Sequence, residues 1–317
     1  MRAERPEPPG PTTRSTSRSL PDVRPQRYVP YGDLAGRPNV IVDGSATSGT
    51  LMTLSHWPHS GTPAALKRDL SAESAFAYLD RPDLHVRAEL VSNNHLDEDG
   101  VAGAYALVAP EHALAHRDLV IEVARAGDFS RTTSRTAARI AFALETLSAR
   151  PDASYEQALE AFPALLDDPG GARALWQDSD DELERDLAVP CEIREDDDLD
   201  LAIVRAARDI QPLALYGRVR AFTVCVLVPG RPCVEQRYES WVQYVSRPVR
   251  PRRDLRPLAA QLTELDAVEW RAGAPGDLTP VCAPRGDSAL DPEAVAAHVT
   301  GHLRTAPAAW DPYDALV

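Results

Sequence analysis

His95, Asp97 and Asp99 alternate within AELVSNNHLDEDGVAGAYAL, residues 88–107, between two apolar segments. Alternate side chains of extended backbone share a face, so the imidazole and both carboxylates point one way while Leu96 and Glu98 point the other. One nitrogen and two hard oxygen donors at a strand's end suit a divalent cation such as Mn²⁺ or Mg²⁺. Asp99 also stands where it could cap a helix starting near Val101, and the free N–H groups of a helix start favour an anion such as phosphate. Metal ligands beside such a helix end point to phosphoryl chemistry; a solvated, capped turn is the plain alternative. An EF-hand fails, because counting His95 as the first loop position puts Ala106 at the twelfth, where a bidentate Glu is required.

Two further polar groups end short apolar runs: Asp43 in NVIVDG (39–44) and His56 in TLMTLSHW (50–57). Such runs read as buried parallel strands, and their tips are where an open α/β sheet binds ligands. His56 could ligate a metal or protonate a leaving oxygen. The stretch RYESWVQYVSRPVRPRRDLRPL (237–258) interleaves Arg237, Tyr238, Trp241 and Tyr244, then adds Arg247, Arg250, Arg252 and Arg253. It reads either as a hairpin with aromatic core residues and surface arginines, or as a basic patch that grips phosphate or stacks a base. On the second reading Asn94, Arg250, Arg252 and Arg253 contact substrate. His112/His116 and His298/His302 are i, i+4 pairs with no carboxylate at ligand spacing and read as surface or boundary residues. No P-loop, GxSxG elbow or GxGxxG fingerprint is present.

The elements that must position these residues follow from pattern. Residues 1–27 are rich in Pro, Arg and Ser and read as a disordered tail. Strands at 39–44, 50–57 and 85–94 alternate with helices over 60–82, 101–108, 116–129 and 134–150, the third helix ending at Gly127 as its C-cap. That rhythm predicts an α/β domain with a parallel sheet over residues 28–190. From 199 to 305 the pattern predicts a smaller α+β domain, with an antiparallel hairpin around PGRP, a helix at DLRPLAAQLTEL and a last helix at DPEAVAAHVTGHL; 306–317 reads as a second tail. At 317 residues two such domains can each bury a core. The formal charge of −14 argues against general nucleic-acid or anionic-membrane affinity. Cys191, Cys225, Cys233 and Cys282 lack CxxC spacing and read as reduced thiols, although Cys225 and Cys233 could face each other across the hairpin. With no apolar run of about 20 residues and no secretory h-region, a cytoplasmic protein is expected.

Strand, His-x-Asp-x-Asp-Gly, then a small-residue helix is similar to the signature of the DHH phosphoesterase superfamily, a group of Mn²⁺-dependent hydrolases. A second segment, ARAGDFSRTTSRTAARIAFALETL (124–147), resembles that family's late segment, in which a metal-binding Asp precedes a Thr/Ser-rich turn and a helix. The resemblance covers about 40–147 and implies that Asp128 is a ligand with Asp43, His95, Asp97 and Asp99. It further implies Mn²⁺ (or Mg²⁺) as cofactor and a small phosphorylated or nucleotide substrate. The chain departs from the family in having no Asp-His-His triplet, SNNH (92–95) being nearest, and no Gly-Gly-Gly-His loop. Residues 95–99 therefore correspond to the family's first motif or replace its third. The whole chain also resembles a bacterial family of unknown function. The sequence thus supports a metal-dependent phosphoesterase acting at a domain cleft. Its rivals are a non-catalytic ligand-binding or regulatory protein on a degenerate scaffold, and a metal-dependent amide or ester hydrolase.

Overall fold

The computed structural model describes residues 24–314, so residues 1–23 of the tail expected over 1–27 lie outside the described residues. In chain order the first elements are β1 (Arg27–Tyr28), β2 (Asn39–Val42), β3 (Thr50–Leu54), α1 (Ser71–Leu79), β4 (Leu90–Ser92), α2 (Glu98–Val108), α3 (Pro110–Ala115), α4 (Arg117–Phe129), α5 (Arg135–Ser148), α6 (Tyr155–Asp167) and α7 (Gln177–Leu187). The four strands form one parallel sheet in the order β1-β4-β2-β3. β2 is buried at every position, as a central strand covered on both faces must be. Its partner β4 runs straight into the loop carrying His95 and Asp97.

After these come β5 (Glu192–Asp196), β6 (Leu201–Arg205), α8 (Pro212–Tyr216), β7 (Thr223–Leu227), β8 (Cys233–Gln236), β9 (Arg252–Arg253), α9 (Arg256–Leu265), β10 (Trp270–Ala272), β11 (Val281–Pro284), α10 (Pro292–Thr305) and β12 (Ala308–Trp310). A mixed six-stranded sheet has the order β10-β11-β8-β7-β6-β5, and β12 pairs with β9. The α/β class is therefore met. The parallel sheet and its helices share one apolar core, and a second core gathers α9 and α10 against the mixed sheet.

Small residues let α2 approach the sheet closely. A Cβ on Gly103 would lie 2.6 Å from Val42 Cγ1 and 3.2 Å from Ala72 Cα. The close packing seats the start of α2 beside the end of β2 and the start of α1, which is where the polar side chains converge.

Several boundaries differ from the pattern. The helix expected over 60–82 begins only at Ser71, because Ser55 and Thr62 exchange hydrogen bonds that hold the preceding segment in a loop. Helix α4 continues through Gly127 to Phe129 and ends at Ser130, whose φ of +47° is left-handed; Gly127 instead leaves room for the Glu98 side chain. Order starts before residue 28, since the Gln26 amide donates to the Leu107 carbonyl and Arg27 pairs with Leu90. The second tail is also tied down in part, as β12 and as a hydrogen bond from the Tyr313 hydroxyl to the Tyr244 carbonyl. All four cysteines are free; register pairs Cys225 with Val234 and Cys233 with Val226, so the two thiols are not opposite each other. No helix among the described residues is long and apolar enough to cross a membrane.

Candidate metal centre

Asp43 follows β2 with a φ of +47°, a conformation costly for a residue with a Cβ and found where surrounding structure enforces it. The turn directs its carboxylate across the sheet's end. Asp43 Oδ1 accepts a hydrogen bond from Ser71 Oγ at 2.7 Å, and Asp43 Oδ2 lies 3.0 Å from His95 Nε2. His95 Nε2 is also 2.5 Å from Asp97 Oδ2. On the other side of Asp43, His56 Nε2 sits 3.5 Å from its Oδ1, 3.5 Å from Asp128 Oδ2 and 3.1 Å from the Tyr238 hydroxyl. Two donor groups thus share one carboxylate: Asp43, His95 and Asp97, and Asp43, His56 and Asp99. Asp128 joins on the His56 side. Every metal ligand proposed from sequence, and His56 with them, comes to one place.

Local structure explains how each is held. His56 Nδ1 is 2.7 Å from the Asp69 carbonyl; that nitrogen donates its proton there, leaving the Nε2 lone pair facing the cluster, the arrangement that orients metal-ligating imidazoles. Asp97, rather than Asp99, caps α2, accepting from the Gly100 amide at 2.8 Å. Asp99 instead reaches across to α1 and accepts the Ser71 and Ala72 amides at 2.7 Å each, so one helix's acid caps its neighbour. Asn93 Oδ1 accepts from the His95 amide at 2.7 Å and shapes the loop. Asn94, expected to contact substrate, packs its amide over Gly44, where a Cβ would not fit.

Charge in the cluster is unbalanced. Asp43, His56 and Asp99 are fully buried, the Asp128 side chain is 5% exposed, and only His95 and Asp97 reach solvent, at 32% and 28%. Among the described residues, Asp43, Asp97, Asp99 and Asp128 have histidines and no Arg or Lys as ion-pair partners. Burial and then the neighbouring acids push Asp99 and Asp128 well above the usual carboxylate range, and burial and Asp43 raise Asp97. Burial opposes charge on His95, but Asp43 and Asp97 outweigh it and hold its imidazolium up to about 10. His56 goes the other way, lowered by burial against the pull of Asp43. Of the four carboxylates Asp43 alone is lowered: burial would raise it, but His95, His56 and Ser71 outweigh that. Asp128 Oδ2 is buried without a hydrogen-bond partner.

The second half of the chain closes one side of the cluster. Tyr238 stands between the two partners of a buried network in which Arg237 donates to the Phe129 carbonyl at 2.8 Å and pairs with Glu239, which Arg131 also approaches at 3.1 Å. This network fixes Tyr238 against the end of α4, next to Asp128. Beside His95 stands an aromatic wall: Trp57 is 5.0 Å from the His95 ring and 5.6 Å from Trp241, which stacks on Tyr238 at 5.8 Å and on Trp310 at 6.1 Å.

The arginines of the basic segment are placed differently from the expectation. Arg252 is 2% exposed and donates to Ser240 Oγ and to the carbonyls of Arg237, Pro275, Asp277 and Leu278. Arg250 donates to the Asp197 carbonyl at 3.2 Å, and Arg253 lies in β9 opposite Ala308. None of the three has a hydrogen bond or ion pair to the metal-centre side chains. What the segment does contribute is Tyr238, and its signal was the aromatic interleaving rather than the positive charge. Ser71 and Asp69 carried no signal in the sequence, because Ser71 acts through its amide and a common helix-start hydroxyl and Asp69 through its main-chain carbonyl.

Residues 24–314 match the model of a family described as "Family of unknown function (DUF6687)". No curated protein and no solved structure matches the chain.

Proposed function

We propose, for a chain that belongs to the DUF6687 family of unknown function, that it is a metal-dependent phosphoesterase acting on a small phosphorylated or nucleotide substrate. The observation that carries this reading is the convergence of Asp43, Asp97, Asp99 and Asp128, four carboxylates at one mostly buried point with histidines and no Arg or Lys as ion-pair partners among the described residues. Uncompensated buried charge is costly and is retained where a cation completes it. His95, Asp97 and Asp43 would hold one ion and His56, Asp43 and Asp99 a second, with Asp128 beside it. The donor set of imidazole nitrogen and carboxylate oxygen suits Mn²⁺ better than Ca²⁺, and the similarity to the DHH signature points the same way. Divalent cations there would supply Lewis-acid charge opposite an anionic phosphoryl group.

The chain's own residues then have distinct tasks. His56, neutral because burial lowers it, serves as a ligand rather than a proton donor. The Tyr238 hydroxyl, 3.1 Å from His56, is the one neutral donor aimed into the cluster from the second half. The aromatic wall of Trp57, Trp241 and Trp310 gives a nucleobase a face to stack against. His95 and Asp97, the only ligands reaching solvent, mark the side from which substrate arrives.

The enclosure of Asp43, His56 and Asp99 favours a second reading, in which the ion is structural and the protein binds a ligand without turnover. The two separate in one experiment. Chelator-treated protein is titrated with Mn²⁺ by calorimetry, then assayed on aryl phosphodiesters, nucleoside phosphates and pyrophosphate. Phosphate release that needs Mn²⁺ and disappears in Asp97→Asn supports the phosphoesterase. Tight binding without release on any of these supports the second reading. Absence of Mn²⁺ affinity would falsify both.

A further inference from the structure

We infer that the chain carries a second, separate metal site, a surface zinc site made by His112, His116 and Asp167. It is independent of the metal centre described above and shares no residue with it. His112 Nε2 lies 3.1 Å from Asp167 Oδ1, and His116 Nε2 lies 3.4 Å from the same oxygen. The two imidazoles are tilted neighbours with ring centroids 4.5 Å apart, and one donor atom from each of the three residues lies within 4.8 Å of the others. Ligands bound at about 2.0–2.1 Å to a tetrahedral zinc ion stand about 3.3 Å from one another. The observed separations of 3.1 and 3.4 Å match two edges of that tetrahedron.

Three more features fit. His112 Nδ1 is 2.9 Å from the hydroxyl of the buried Tyr105. With Nδ1–H donating there, Nε2 keeps its lone pair toward the shared corner, the second contact typical of a ligating imidazole. Asp167 is the last residue of α6 and is followed by Asp168. Asp168 caps the following turn through the Gly170 amide, whereas the Asp167 carboxylate is left at the negative end of the helix dipole, an unfavourable placement that a cation relieves. The three side chains are 32%, 28% and 64% exposed, so an ion can enter and a fourth position stays open to water or a ligand. The i, i+4 histidines gave no such signal in the sequence because their carboxylate comes from a residue 55 positions beyond His112. Binding would fasten α3 to the end of α6.

The test is a calorimetric zinc titration of the full chain after chelation, in wild type, His116→Ala, Asp167→Asn and Asp97→Asn. Beside any zinc taken by the buried centre, wild type should bind one zinc equivalent that His116→Ala and Asp167→Asn lose or hold at least tenfold more weakly, since losing even a group that only orients a ligand costs about 10–100-fold. Asp97→Asn, altered only in the buried centre, should keep it. Should His116→Ala fail to fold, as judged by circular dichroism, Asp167→Asn preserves the side-chain shape and carries the comparison. Equal stoichiometry and affinity in wild type and both site variants overturns the inference, as does a wild type that binds no zinc. Failure of the buried centre alone would show instead as unchanged zinc binding with no Mn²⁺ affinity.

Discussion

Replacing Asp128 with Asn should stabilise the metal-free protein and weaken its response to metal. The Asp128 carboxylate is 5% exposed, its Oδ2 has no hydrogen-bond partner, and the nearest basic atom is His56 Nε2 at 3.5 Å. Burial, then Asp99, Asp97 and Asp43, hold it well above the usual carboxylate range, so ionising it in the folded state is unfavourable. A buried polar group left without a partner costs about 1–3 kcal/mol, more when charged. Removing the charge with an isosteric amide should therefore return about 1–3 kcal/mol at neutral pH, a rise in Tm on the order of 2–10 °C for a chain of this size.

The pH dependence fixes the sign. Because the folded pKa is raised, the penalty is absent below the unfolded value of about 3.9 and grows as pH rises toward the folded value. The advantage of Asp128→Asn should accordingly vanish near pH 3.5 and widen toward neutrality. If the proposed site holds Mn²⁺, the ion should reverse the order: at a hundredfold excess over Kd, binding would stabilise wild type by about 2.7 kcal/mol, and the variant, short of one carboxylate, would gain less. Thermal melts of both proteins in chelator and in Mn²⁺, from pH 3.5 to 8, provide the comparison. A variant that melts below wild type in chelator at pH 7 and responds equally to Mn²⁺ would refute the argument that this charge awaits a cation.

Other outcomes follow from the same structure. Gly103→Ala should destabilise by about 1–3 kcal/mol despite alanine's better helix propensity, because the new methyl meets Val42 and Ala72; a neutral result in urea unfolding would show that α2 can back away from the sheet. Arg252→Ala should cost at least about 2 kcal/mol by stranding the carbonyls of Pro275, Asp277 and Leu278, and should leave KM for any phosphoester unchanged; a raised KM without loss of stability would restore the substrate-gripping role. Lys67 is the chain's only lysine, its amine brought down to about 8 by burial and donating to the Trp57 carbonyl and to Gln243. Its acylation, followed by mass spectrometry, should be half-maximal near pH 8 rather than near the ordinary value of about 10.4; a midpoint at the higher value contradicts its burial at this contact.

What the sequence disclosed about the site follows from how the ligands are carried. Asp43, His56 and His95 stand just beyond strands whose apolar runs are plain in the chain, so period and termination alone located them. Asp97 and Asp99 were legible as donors, but their caps were exchanged, since Asp99 bonds the start of α1 and not of its own helix. Only the fold could show that, as the two segments are some 27–28 residues apart. Asp128 could not be placed by pattern, because it lies on a helix, where nothing in the spacing separates a ligand from a solvated acid; the family-like segment singled it out. The arginines misled for a physical reason. A guanidinium with five donors serves a buried loop by collecting carbonyls, and composition cannot distinguish that use from phosphate binding.

Asp43 takes a left-handed conformation although it is not glycine, a carboxylate is buried without a donor at Asp128, and α2 comes close enough to exclude a methyl at Gly103. Each departs from what local propensity or burial alone would select, and each lies at the tip of the parallel sheet or on an element packed against it. A sequence shaped only for stability would have relaxed them one at a time, with Gly after β2 and Asn at the end of α4. They are mutually dependent instead: the turn at Asp43 aims one carboxylate at both histidines, the close packing of α2 brings Asp97 and Asp99 to that carboxylate, and the Arg237 network sets Tyr238 against Asp128. Such mutual dependence is what the proposed cation site would require, because its ligands would repel one another until an ion arrived.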